Sequence, residues 1–265
     1  MSFRLTLLGT GSSGGVPRLG NNWGACDPKS LKNRRRRCSA LVERVAGRGT
    51  TRLLIDTSPD LREQLLDASI GAIDGVAFTH DHADHTHGID DLRILAFNMR
   101  RRVDVHFDAV TGQSLLTRFG YCFATPAGSS YPPILNAHVI APPTPVVVDG
   151  AAGPIEAIPV PQQHGDQGSL GFRIRDVAYS PDISGLDDGS IAQLAGLDVW
   201  IVDALRYIPH PAHFSVAQAL EWIERLKPKR AILTHLHIDL DYERLKRELP
   251  PHVEPAFDGM VVHFG

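Results

Sequence analysis

Cysteine is scarce in this chain: Cys26, Cys38 and Cys122 are its only three in 265 residues, an odd number with no Cys-x-x-Cys. Such a set does not build a disulfide framework, and the expected compartment is the cytoplasm. Long apolar runs are missing as well. None approaches the ~20 residues that span a bilayer, so no membrane association is expected. The opening nine residues are too short and strand-like for a signal peptide. Neither charge sign dominates. A formal net charge of -3 argues against a protein that coats nucleic acid, while leaving room for a local basic site. The glycine-rich stretch Gly9–Gly15 lacks the Gly-Lys-Ser/Thr ending of a P-loop, and no helical pattern follows it. A tight turn beneath a functional site is expected there, rather than a phosphate cradle.

What remains is an ordinary globular composition, 43% hydrophobic and 22% charged, enough for one large domain or two small ones. Histidine is the exception. The stretch from His80 to His87 holds four histidines and two aspartates, directly after the short apolar run Val76–Thr79. An apolar run of that kind reads as a buried strand, and α/β folds place their chemistry at the carboxyl ends of such strands. Imidazole and carboxylate together suit Zn, Mn or Fe. His80 and His82 can close on one ion from an extended loop, and Asp84 and His85, a turn further on, can face a second. A solvated loop has no need of four imidazoles.

The rest of the chain alternates strands and helices. Residues 3–8, 38–44 and 52–55 read as strands, and Asp56 at the end of the third is either a partner for a ligand histidine or a turn aspartate. Ser58-Pro59 resembles the start of a helix over 59–68, with Leu61, Leu65 and Leu66 on its apolar face. Arg34–Arg37 is either a solvated basic face or a place where one or two arginines hold a phosphate. A helix is expected over 89–97, a strand over 103–107 and a helix over 111–119. Residues 121–145 read as a loop, and Phe119, Tyr121, Phe123 and Tyr131 in and beside it either stack on a base or sugar or form a small apolar cluster. Strands follow at 155–160, 169–175, 177–179, 197–202, 230–233 and 260–264, with helices at 215–226 and 242–249. Several of these strands run into a histidine or an aspartate: His164, Asp182, Asp203 and His235. His210 and His213 precede the 215–226 helix.

The string His80-x-His82-x-Asp84-His85, followed by Gly88, resembles the His-x-His-x-Asp-His signature of the metallo-β-lactamase superfamily. Nearly the whole chain follows that family's order. The opening strand and Gly9-Thr10-Gly11-Ser12 resemble the ribonuclease Z and cyclic-phosphodiesterase branches. His213-Phe214-Ser215 and Leu233-Thr234-His235 resemble the phosphoribosyl 1,2-cyclic phosphate phosphodiesterase branch of the phosphonate pathway. The resemblance implies an α/β fold, one αββα sandwich domain over residues 1–265, with two sheets face to face and helices outside. It also implies two divalent metal ions, Zn or Mn. His80, His82 and His164 take the first, Asp84, His85 and His235 take the second, and Asp182 bridges them together with a hydroxide.

The activity implied is a metal-dependent phosphodiesterase acting on a small cyclic phosphate or nucleotide-like phosphodiester, with a nucleoside monophosphate binding as a product mimic. Asp84 belongs to the catalytic set, and His213 is the expected substrate-binding and catalytic histidine, with His210 as its rival. Two alternatives stand beside it: a ribonuclease Z-like RNA endonuclease, for which no flexible basic arm is visible, and a nucleotide-binding protein with weak turnover. A homodimer is possible. The resembling branch carries a further structural metal on clustered cysteines and a histidine. Asn21, Trp23 and Ile238 stand at those places here with Cys26 alone remaining, so no third metal is expected, His237 being the one misplaced substitute.

Overall fold

The computed structural model describes residues 2–47 and 49–265. The first half of the chain runs β1 (Ser2–Gly9), β2 (Ser39–Ala46), β3 (Gly49–Ile55), α1 (Leu61–Asp67) and β4 (Gly75–Ala77). It continues through α2 (Ala83–Thr86), α3 (Leu92–Met99), β5 (Val103–Phe107), α4 (Ala109–Phe123) and β6 (Leu135–Val139). The second half begins with β7 (Val146–Val148), β8 (Ile155–His164), β9 (Gln167–Ile174), β10 (Val177–Ser180), α5 (Asp188–Gln193) and β11 (Val199–Asp203). It ends with α6 (Val216–Leu226), β12 (Arg230–Thr234), α7 (Tyr242–Glu248), β13 (Val253–Pro255) and β14 (Val261–Phe264). Among the described residues these strands form two sheets of seven, in the orders β14-β1-β2-β3-β4-β5-β6 and β13-β12-β11-β10-β9-β8-β7.

The strands read as near-continuous apolar runs because both of their faces are covered. Leu53 and Ile55 of β3 point between the sheets, where they meet Ile155, Phe172, Tyr179, Ile201 and Ile232. Leu54, one residue out of phase, packs outward with Leu61, Leu65, Leu92 and Leu95 beneath α1 and α3. The second sheet repeats this: Ile201 faces inward, while Trp200 and Val202 pack outward with Ile223 and Leu245. The result is an αββα sandwich. Each fully buried leucine contributes roughly 1.5–3 kcal/mol, so three apolar layers, and not any single contact, hold the site-bearing edge in place.

Helix ends explain several departures from the sequence expectations. Ser215 caps α6, in a reciprocal box with Gln218. Ser58 does not cap α1: Asp60 holds that position, and the Ser58 hydroxyl donates to Gln64 Oε1 at 2.9 Å. Leu61 and Leu65, four apart, are buried, whereas Leu66 is exposed on the flank of the helix. The region 121–145 is not one loop. Helix α4 runs on to Phe123, and β6 adds an edge strand parallel to β5. Strand β13 and helix α5, both short, carry no periodicity long enough to read.

Candidate metal centre

The site forms where strands end. Strands β10, β11 and β12 are mutually parallel, and so are β3, β4 and β5. Their carboxyl ends therefore meet at one edge of the sandwich. Strand β4 delivers Thr79 and His80, β8 ends on His164, and β10, β11 and β12 release Asp182, Asp203 and His235 respectively. Asp56 and His235 adopt left-handed backbone angles, φ 64° and 58°. A non-glycine residue in that region costs of order 1–3 kcal/mol, and such strain tends to collect at functional sites. Gly88 permits the loop to close. A Cβ there would fall 2.0 Å from the Ser58 carbonyl oxygen, and the Gly88 amide donates to Thr57 O at 2.8 Å.

The side chains converge around Asp182, which is buried. Its Oδ2 lies 3.8 Å from His80 Nε2 and 3.6 Å from His164 Nε2. Its Oδ1 lies 3.0 Å from His85 Nε2 and 3.7 Å from His235 Nε2. His82 Nδ1 joins the first set at 3.3 Å from His164 Nε2, and Asp84 Oδ2 joins the second at 3.6 and 3.7 Å from His85 and His235. Ligand atoms of His80, His82, His164 and Asp182, and separately of Asp84, His85 and His235, all come within 4.8 Å of one another. The structure thus brings the seven sequence-derived residues together, and a third group within the same distance joins Asp182, His213 and His235.

Whether the pocket fits cations can be tested on its own atoms. His80 Nε2, His85 Nε2, His235 Nε2 and Asp182 Oδ1 are buried without a hydrogen-bond partner. Leaving such an atom unpaired costs about 1–3 kcal/mol, more for a charged group, yet here several are aimed at the same small volume. Three of the outer nitrogens, by contrast, are held, while His235 Nδ1 lies 3.8 Å from Asp203 Oδ1 without a hydrogen bond. His85 Nδ1 pairs with Asp56 Oδ2 at 2.7 Å, and His164 Nδ1 donates to the Ala212 carbonyl at 2.6 Å. His80 Nδ1 bonds Thr79 Oγ1 at 2.9 Å, and that hydroxyl donates to Asp56 Oδ2 at 2.8 Å. Fixing Nδ1–H on the outside turns the Nε2 lone pair inward, the arrangement a metal-binding imidazole requires. The donor set, imidazole with carboxylate, fits Zn or Mn.

Burial pushes His80 well below the usual imidazole range, with His85 adding to it, and lowers His164 to about 4. For His85, burial is outweighed by Asp182, Asp56 and Asp84, which hold it well above that range. Asp182 itself lies well below the carboxylate range: burial opposes ionisation, but His235 and His85 prevail. His213 stacks on the His235 ring at 4.6 Å, and its Nδ1 lies 2.7 Å from Asp203 Oδ2. Its other nitrogen makes no protein hydrogen bond among the described residues. His210 lies further out, with its ring 5.1 Å from that of His213.

Some sequence candidates take other places. Arg35 is buried, with Nη1 on the His237 carbonyl and 3.8 Å from Cys26 Sγ. Arg36 pairs with Asp67 and Arg37 with Asp60, so these three arginines are tied to the protein and do not point at the cluster. Cys26 packs with Val16, Ile238 and Trp23. Phe119 and Phe123, both on α4, pack against the apolar layer that includes Phe107 and Leu115, while Tyr121 and Tyr131 are exposed. Sequence reasoning missed Thr79, which links Asp56 to His80, and the Arg118–Asp81 pair through which α4 grips the histidine loop. A lone threonine and a helix-surface arginine carry no sequence signal.

A two-sheet sandwich with imidazoles and carboxylates gathered at one edge defines a class of hydrolytic scaffold that works through metal ions. The chain belongs to the β-lactamase superfamily, whose domain matches residues 51–236, and within it to the PhnP branch. The crystal structure of a diphosphatase from the PhnP family is 35% identical, with a TM-score of 0.89, over 100% of this chain and 98% of that one. An octanoyltransferase from Porphyromonas gingivalis is 33% identical over 97% of this chain, which spans 51% of that protein's length. Human tRNase Z, short form, shares the fold at a TM-score of 0.60 and 17% identity over 98% of each chain. No helix among the described residues is long and apolar enough to cross a membrane.

Proposed function

We propose that this chain is a cytoplasmic, dinuclear metal-dependent phosphodiesterase, acting through residues 1–265 as one domain on a small cyclic phosphate or nucleotide-like phosphoester. The observation that carries the reading is the division of Asp182, one oxygen toward His80 and His164 and the other toward His85 and His235. A carboxylate so placed can serve two cations at once, as in two-metal hydrolases. His80, His82 and His164 would hold one ion, Asp84, His85 and His235 the other. When bound, the ions would supply Lewis acidity, lowering the pKa of water and polarising a phosphoryl oxygen. The described similarity to a diphosphatase favours phosphorus over β-lactam chemistry and admits phosphoanhydride substrates.

The remaining steps fall to the chain itself. His213 is free at one nitrogen and anchored at the other by Asp203. It would hydrogen-bond the reacting phosphate and give a proton to the leaving alkoxide, because the ligand histidines have their inward nitrogens committed. Asp56, through His85 directly and His80 by way of Thr79, would keep the imidazoles oriented as the charge on phosphorus grows. A nucleoside monophosphate would bind as a product mimic.

The test joins metal analysis to a substrate panel. Purified protein should carry close to two Zn or Mn ions per chain, falling in Asp182→Ala, and should cleave bis-nitrophenyl phosphate or a cyclic phosphate faster than nitrocefin. Faster nitrocefin turnover, or one ion per chain that is indifferent to Asp182→Ala, would overturn the reading.

A further inference from the structure

Beyond His213 the row of imidazoles continues. The rings of His164 and His235 lie 4.7 and 4.6 Å from that of His213, and His210 follows on at 5.1 Å, tilted by 48°. His210 and His213 share the loop between β11 and α6, where they pair as an antiparallel bridge. Backbone bonds pin this loop. Leu205 N donates to Phe214 O at 2.9 Å, Phe214 N to Ile183 O at 2.8 Å, and Val216 N to Arg206 O at 3.0 Å. The Arg206 guanidinium turns back on the loop and donates to the carbonyls of Ile208 and Pro209 at 3.0 and 3.3 Å.

Ala212 sets the state of His210. Its amide donates to His210 Nδ1 at 3.2 Å, while its carbonyl accepts from His164 Nδ1 at 2.6 Å. One peptide residue thus ties His210 to a ligand of the cluster. Gly165 permits the approach, because a Cβ there would fall 3.0 Å from the Ala212 Cβ. An Nδ1 that accepts carries no proton, so the neutral ring bears its hydrogen on Nε2. Burial, then His213, Arg206 and His235, push His210 below the usual imidazole range, which keeps the ring neutral at pH 7. The Nε2–H donates to no protein acceptor among the described residues.

The result is a fixed, uncharged donor one ring further from the cluster than His213. His213 is the group that would protonate the leaving oxygen, so a donor beside it faces the atoms next to that oxygen. A neutral N–H suits an uncharged acceptor, a hydroxyl or an ether oxygen. A further anionic group would call for a cation, and the nearby Arg206 is spent on two carbonyls.

We propose that His210 is a specificity-determining residue, which donates from Nε2 to a hydroxyl or ether oxygen on the carbon next to the one that bears the leaving oxygen. Resting on the phosphoesterase reading above, this makes the preferred leaving group a polyol such as a sugar, and not a simple alcohol or a phenol. His210 holds the substrate in this role and passes it no proton.

The test uses the full chain loaded with Mn and compares kcat/KM for glycerol 1,2-cyclic phosphate with that for propane-1,2-diol cyclic phosphate, which lacks one hydroxyl. The wild type should prefer the glycerol ester roughly 3–10-fold, the value of one neutral hydrogen bond. His210→Ala should bring the ratio close to one, and His210→Gln, whose amide N–H can stand near Nε2, should recover part of it. No preference in the wild type, or one that survives within twofold in His210→Ala, overturns the role and leaves the phosphoesterase reading standing. Equal losses on both esters, as removal of a general acid would give, leave the ratio unchanged and also overturn it. If the wild type cleaves neither ester, calorimetry with glycerol 1-phosphate and propyl phosphate decides the role, and the phosphoesterase reading is judged separately on bis-nitrophenyl phosphate. Tighter binding of glycerol 1-phosphate that is lost in His210→Ala supports the role, and equal binding of the two overturns it.

Discussion

The two sides of Asp182 are built differently. On one side stand three imidazoles, His80, His82 and His164, with His82 exposed and the first and third held outside by a threonine hydroxyl and a backbone carbonyl. On the other, Asp84 and His85 share a short helix, His235 faces them, and a buried carboxylate, Asp56, stands behind His85. The first side is formally neutral apart from Asp182 itself; the second adds Asp84 and the charge of Asp56 behind it. A cation on the second side meets more negative charge, but it must also displace the proton that those same carboxylates hold on His85.

Asp182→Ala should be the most damaging change, because it removes the one residue common to both sides. Activity should fall to background, with fewer ions per chain by elemental analysis. An unaltered metal count would mean that the two sides do not share a ligand.

His213→Ala should separate chemistry from metal binding. Both ions should remain while turnover drops roughly 10²–10⁴-fold, less for a nitrophenolate leaving group than for a ribose alkoxide. Equal losses for both leaving groups would remove the general-acid role and leave only a binding one.

Asp56→Asn should sharpen the contrast between the sides. Losing the acceptor charge behind His85 should weaken one ion roughly 10–100-fold, with a smaller effect on the other through Thr79. Competition with a chelator would read this as one early and one late release, and two equally weakened ions would contradict it.

Acidity should discriminate most gently. His85 is held well above the normal range by Asp182, Asp56 and Asp84 against burial, so its proton competes with metal as the pH falls. His164, lowered to about 4 by burial, stays neutral across the same range. Metal titrations from pH 8 down to pH 6 should therefore show one affinity falling steeply and the other little, whereas parallel loss would reject the asymmetry.

Much of the site was legible because its ligands end strands, and a strand ending in a histidine or aspartate stands out after an apolar run. His80, His164, Asp182 and His235 are each of this kind. The start of the 215–226 helix was legible too, because the amphipathic stretch that begins there, capped by Ser215 with Gln218, needs only local geometry. Ser58 gave the same kind of local signal and was misleading, because a buried glutamine took its hydroxyl and Asp60 took the cap. Strand β6 was hidden by the Pro-, Ala- and Ser-rich composition around it. Its place comes from pairing with β5, a contact that local composition does not encode.

The sequence by itself determined which residues can ligate and the order in which they arrive, because side-chain chemistry and strand periodicity are local properties. The tertiary structure decided the rest. It divided the ligands across the two oxygens of Asp182, set Asp56 behind His85 and Thr79 between Asp56 and His80, and sent Arg35, Arg36 and Arg37 into internal pairings. Each of those outcomes depends on groups distant in sequence meeting within a few ångströms. Hydrogen bonds and ion pairs act only at that range, so the fold had to bring the partners together before any of them could have a role.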